Sequence, residues 1–131
     1  MHVSQPSHRR AFGFTLLELL AVLTIIAMLL TLAAPRFFQH VSTAKEAALR
    51  ETLHTTRAVI DQFYGDNGRY PESLDELVER RYLRALPFDP VTESATSWSL
   101  EPVPEDFEGT VYDLKSGASG TGRNGVPYAE W

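Results

Sequence analysis

The side chains that could do chemistry in this sequence are few, and their spacing does not assemble a reaction. His40 and His54 are fourteen positions apart on a stretch that reads as one helix. At ~1.5 Å per residue that separation is about 21 Å, beyond the reach of a shared metal ion. His2 and His8 precede the first apolar segment. The absence of Cys removes a thiol nucleophile, a Cys-ligated zinc site and a disulfide framework. No Ser, His and acid stand at a spacing that points to a nucleophilic triad. Gly117, Gly120, Gly122 and Gly125 in SGASGTGRNG offer backbone amides, but no Gly-Lys-Ser/Thr follows and no helix begins there, so a phosphate cradle is not predicted. The position that demands a chemical reason is Glu18.

Glu18 is the single charge in residues 14–34, FTLLELLAVLTIIAMLLTLAA. As a helix these 21 residues cover about 30 Å, the hydrocarbon thickness of a bilayer. The segment is apolar on every side, and a chain of 131 residues cannot enclose such a helix in a soluble core. It is longer than a secretory signal's apolar region, it carries a carboxylate, and helical periodicity continues past it, so it reads as a retained span. A carboxylate inside a span costs about 2.5–3.5 kcal/mol on insertion scales. It is met either by reaching back to the headgroups or by pairing with a cation from another chain. The leader, residues 1–13, carries Arg9 and Arg10 and no acid, which favours the cytoplasmic side and places the chain beyond the span outside.

Composition agrees with a membrane-anchored structural protein more than with a nucleic-acid binder. There are 12 Lys+Arg against 17 Asp+Glu, a net charge of −5, where phosphate backbones need a basic face. The length allows one compact domain beyond the span.

Gly13-Phe14-Thr15-Leu16-Leu17-Glu18, followed by the long apolar run, resembles the prepilin processing motif of type IV pilins and type II secretion pseudopilins. The resemblance implies cleavage after Gly13 by a prepilin peptidase, with Arg9 and Arg10 as the leader's charge. It implies N-methylation of Phe14 as the new terminus, and Glu18 as the fifth mature residue. Pro35 matches a helix-interior proline of these families. Cleavage would expose an α-amino cation at Phe14, and in a helical filament Glu18 of one chain would neutralise that amine on another. The pair would set register, because either group alone in apolar surroundings is expensive.

Beyond Pro35 the helix continues. Leu49, Leu53, Thr56, Ile60, Phe63 and Tyr64 recur at three and four, one face, with Lys45, Glu46, Arg50, Glu51, Arg57 and Asp61 mostly off it. One long helix over 14–64 is predicted, near 75 Å at ~1.5 Å per residue, with Pro35 kinking or locally melting it. Gly65-Asp66-Asn67-Gly68 ends it. A short helix follows, with Ser73 as N-cap and Glu76 completing a capping box, Leu74, Leu77 and Val78 facing inward, and Tyr82-Leu83 closing it. Residues 65–90 also resemble the pseudopilin pattern through Asp66, Asn67, Gly68, Tyr70, Pro71, Tyr82, Leu83, Leu86, Pro87, Asp89 and Pro90. This second match favours the major, G-type secretion subunit.

Residues 97–103, with Trp98 and Leu100 inward, and 109–115, with Val111 and Asp113 on one face and Tyr112 and Leu114 on the other, are predicted strands. A solvated acidic loop of Glu105, Asp106 and Glu108 joins them. The fold class is α+β and pilin-like: a long N-terminal helix packed on a small antiparallel sheet of two or three strands. The domains are a leader, 1–13, a transmembrane or filament-core helix, 14–34, and a periplasmic globular domain, 35–131.

In G-type pseudopilins the loop comparable to 116–125 binds calcium through acids and carbonyls. Here residues 116–129 hold no Asp or Glu, with only Asp113 and Glu130 flanking. Carbonyls with Ser119 and Asn124 make a poor calcium site, so no cofactor is predicted and the turn is expected to hold itself by local hydrogen bonds. Tyr128 and Trp131 read as anchors of the tail. The resemblance implies a non-enzymatic subunit, inserted in the bacterial inner membrane and extracted into a periplasmic filament that drives protein export. Its partners would be the prepilin peptidase, other pseudopilins and an inner-membrane assembly platform with its ATPase. The alternatives are a minor type IV pilin or DNA-uptake pseudopilin, and, in another class, a membrane-anchored periplasmic binding or enzyme domain.

Overall fold

The structure is a computed structural model that describes residues 1–4 and 13–131. Its elements are α1 (Leu16–Asn67), α2 (Leu74–Glu79), β1 (Ser99–Glu101), β2 (Asp113–Lys115) and a closing 3₁₀ turn (Tyr128–Glu130). This is the α+β, pilin-like arrangement expected from the sequence, with two antiparallel strands. The chain forms two compact units, Met1–Phe38 and Gln39–Trp131.

In the first unit the α1 residues are exposed throughout. α1 is the one helix among the described residues long and apolar enough to cross a membrane, and none of that apolar stretch is buried. By length and composition the helix fits a single-pass membrane anchor. Pro35 lies inside α1, which stays helical through it rather than melting. Proline forfeits one hydrogen bond, and the turns on either side keep theirs.

In the second unit the helical face read from the sequence is the core. Leu49, Leu53, Thr56, Ile60 and Phe63 are buried, joined by Leu74, Leu77, Trp98, Val111 and Leu114. Tyr64 is half-buried and stacks on Tyr70 with ring centroids 4.6 Å apart. α1 ends at Asn67 rather than at 64. Gly68 adopts φ +70°, and its N–H donates to the Tyr64 carbonyl at 2.8 Å, a left-handed glycine cap that carries Gly65 and Asp66 inside the helix. α2 is capped as expected, the Ser73 hydroxyl accepting the Glu76 N–H at 3.2 Å. The reciprocal arm differs: the Glu76 carboxylate accepts from the Glu72 N–H at 2.7 Å and pairs with Arg69.

The sheet is smaller than the alternation suggests. β1 and β2 are three residues each, in register Ser99↔Lys115, Leu100↔Leu114 and Glu101↔Asp113. Leu100, expected inward, is 45% exposed. Trp98 takes the inward place just before the strand, with its indole N–H donating to the Pro87 carbonyl at 2.8 Å. Val111 and Leu114 are both buried although the alternation put them on opposite faces. Val111 lies before β2, held by its own N–H on the Pro71 carbonyl, so strand periodicity does not apply to it.

Candidate processing and assembly site

Three local features define the start of α1. Gly13 is exposed non-helical backbone, and an added Cβ there would meet nothing within 4 Å. Phe14 follows at 87% exposure. Thr15 then caps the helix: its hydroxyl accepts the Glu18 N–H at 3.1 Å, and its carbonyl accepts the Leu19 N–H at 3.1 Å. The sequence expectation began the helix at 14. The Thr15-Leu16-Leu17-Glu18 spacing carries the signal for this cap, which an apolar run alone does not show. The peptide after Gly13 therefore lies outside the helix, between two exposed residues.

Glu18 stands in the first turn of α1. A carboxylate there is favoured by the unsatisfied N–H groups and dipole of the helix N-terminus. Downstream the polar side chains are satisfied within the helix: the Thr24 hydroxyl donates to the Leu20 carbonyl and the Thr31 hydroxyl to the Ala27 carbonyl, each at 2.8 Å. Threonines bonded this way present methyl groups outward and strand no polar group in an apolar medium. Among the described residues Glu18 forms no ion pair. Arg9 and Arg10, the leader cations, lie outside the described residues.

The motif at 65–90 is a brace for the second unit. The Tyr82 hydroxyl donates to Asp66 Oδ2 at 2.8 Å and accepts from the Asn67 amide at 3.2 Å, tying the end of α1 to the exit of α2. The bond to Asp66, with burial adding to it, raises the Tyr82 pKa. The Glu76 carboxylate is held below its ordinary range chiefly by the Arg69 guanidinium at 2.5 Å, against a smaller opposing effect of burial. Asp89 is fully buried. Its Oδ1 accepts the N–H groups of Val91 and Thr92 at 2.8 and 3.2 Å, and its Oδ2 accepts the Ser116 hydroxyl at 2.6 Å.

Two α1 residues expected off the packed face are drawn into the C-terminal region. Glu46 is 5% exposed because its Oε1 accepts the Arg123 N–H and the Tyr128 hydroxyl, each at 2.9 Å. Burial, then that bond, raises the Tyr128 pKa. Arg57 is half-buried, its Nε donating to Asp113 Oδ1 at 2.7 Å and its Nη2 to the main-chain oxygens of Leu114 and Trp131 at 2.9 and 2.8 Å. Trp131 is an anchor as read from the sequence, lying 4.4 Å beneath the Arg50 guanidinium, with Tyr128 beside it at 5.0 Å between ring centroids. His40 and His54 are both exposed, and the described residues hold no group of three or more His, Cys, Asp or Glu placed to bind a metal.

The family comparison falls on the same segment. Residues 8–34 match the family described as the prokaryotic N-terminal methylation motif. The chain is 31% identical to the competence protein ComGC of Halalkalibacterium halodurans, over 62% of this chain and 78% of that protein. It is 31% identical to the type II secretion system core protein G of Klebsiella pneumoniae, over 63% and 70%. It is 29% identical to the core protein G of Pseudomonas aeruginosa, over 63% and 69%. No solved structure matches the chain.

Proposed function

The chain belongs to the pseudopilin-type family of N-terminally methylated, pilin-like proteins, and on that premise we propose that it is a precursor of a type II secretion filament subunit whose work is assembly. The observation that carries this is the exposed apolar surface of α1, which begins three residues after a glycine in open backbone and holds in its first turn one carboxylate with no ion-pair partner among the described residues. A prepilin peptidase cuts after Gly13, and Phe14 becomes the methylated terminus. The leader, with Arg9 and Arg10, stays cytoplasmic, and the unit from Gln39 onward lies in the periplasm.

The mechanism is an exchange of surroundings. Lipid satisfies the Leu16–Ala34 surface in the membrane, and neighbouring copies of the same surface satisfy it in the filament. The exchange costs little for apolar groups and much for a lone charge. Glu18 therefore selects a position in which it meets the Phe14 amine of another copy. Pro35 marks the helix turn beyond the apolar run. An inner-membrane platform with its ATPase drives extraction, and the filament's growth moves exported protein outward. The competence-protein match favours a second reading, a DNA-uptake pseudopilin with the same processing and packing.

Co-expression with a prepilin peptidase tests the processing step. The mature chain should lack residues 1–13 and carry about 14 Da for one methyl group. Gly13→Leu should block the cut. An intact chain, a cut near Ala34, or unchanged cleavage of the Leu variant would overturn the reading.

A further inference from the structure

The C-terminal region of the second unit contains a meeting of oxygens that has no local explanation. Asp113 Oδ1, the Leu114 carbonyl and the main-chain oxygen of Trp131 come from two stretches of chain, and all three accept hydrogen bonds from one guanidinium, that of Arg57. A divalent cation is the other way to hold such a set, and the resemblance to G-type pseudopilins implies calcium in this loop region. Calcium takes six to eight oxygens at about 2.3–2.6 Å, usually with carboxylates among them.

The oxygens here are already committed. Gly120, Gly122 and Val126 carbonyls accept the N–H groups of Tyr128, Gly125 and Gly122. Val126 also accepts the Trp131 indole N–H, and Asn124 Oδ1 takes the Val126 N–H. The Glu46 carboxylate is engaged by Arg123 and Tyr128, and Asp89 by Val91, Thr92 and Ser116. Gly122 leaves no room for an ion on its Cβ side: a Cβ there would come within 2.3 Å of the Trp131 ring. The donor set does not fit calcium.

We infer that the Arg57 guanidinium is the built-in cation of this loop, closing Asp113, Leu114 and Trp131 around itself so that the C-terminal region is held without a divalent metal. The chemistry suits the residue. A guanidinium is planar, permanently charged and presents five N–H donors in a fixed fork, so one group can bridge a carboxylate and two carbonyls. An ammonium is a point charge on a flexible stem and reaches fewer of them in one geometry. Arg57 lies one helical turn after Leu53 and just before Ile60, so the buried face of α1 fixes the base of the side chain. This role concerns the lobe alone and stands whether or not the chain builds a filament.

The test uses the full chain in detergent micelles, with thermal melting and amide hydrogen exchange as readouts. Addition of EGTA or of excess calcium chloride should move the melting temperature by no more than about 1 °C, since a ligand that does not bind the native state shifts nothing. Arg57→Gln should raise exchange at 113–131 at least tenfold while the α2 amides stay protected, and Arg57→Lys should fall between. A rise of several degrees with calcium, a comparable fall with EGTA, or unchanged exchange at 113–131 in the Gln or Lys variant would overturn the assignment. If the Gln variant does not fold, the Lys variant and the wild-type calcium titration decide.

Discussion

Glu18 and Arg57 solve opposite versions of one electrostatic problem. Arg57 meets its partners inside the chain, with three oxygens within 2.9 Å. Glu18 meets none among the described residues beyond its own helix turn. A charge left in an apolar segment without a partner is a cost that assembly can relieve. Glu18→Ala should therefore be cut and inserted normally yet leave no filaments when it is the only subunit; sheared filaments at wild-type abundance would contradict the pairing. Glu76 offers a pH-dependent counterpart. Its pKa is depressed, first by Arg69, so its contribution is complete above the unfolded carboxylate value of about 4.3 and disappears as pH falls through the lower folded value. Urea midpoints should show wild type losing its advantage over Glu76→Gln below about pH 4.3, with a constant gap above it; a gap that persists unchanged well into acid would refute the linkage. At this scale the sequence displays motif residues and hides clamps. Gly13, Phe14, Glu18 and the Asp66–Tyr82 set stand in short patterns. Glu46 and Arg57 take partners 56 to 82 residues away, which no local spacing announces.

Elements follow how long their periodicity runs. α1 repeats its buried face from Leu49 to Phe63 and is legible for that reason. Its ends are set by single groups, the Thr15 hydroxyl and the positive φ of Gly68, and both lie two to three residues from where periodicity alone places them. The strands are three residues each, too short for alternation to show a face: Leu100, read as inward, is exposed, and Val111 and Leu114, read on opposite faces, are both buried. The cap at Gly68 can be measured. Gly68→Ala forces a Cβ into φ +70°, at a cost of about 1–2 kcal/mol. Nothing lies within 4 Å of that Cβ, so the loss reports backbone strain and not a clash. Urea denaturation should show that loss with an unchanged m-value; a neutral substitution would mean that Gly68 is not held in the left-handed region.

At the scale of the molecule, two units meet two solvents. Gln39–Trp131 buries its apolar face against its own chain, around Leu49, Leu53, Ile60 and Phe63. Met1–Phe38 exposes Leu16 through Leu32 along its helix and needs lipid or copies of itself. Composition conceals this division, because a mean hydropathy of −0.17 averages a polar unit with a greasy one. The exchange of lipid for like neighbours is the claim on which the functional account depends. It is tested most directly by following the mature, methylated chain in cells that supply the prepilin peptidase and the assembly platform, and measuring the share recovered in sheared, pelleted polymer. The account predicts that processed chain moves from the membrane fraction into polymer when the platform is present. Processed chain that remains a membrane monomer with the whole apparatus working would contradict it.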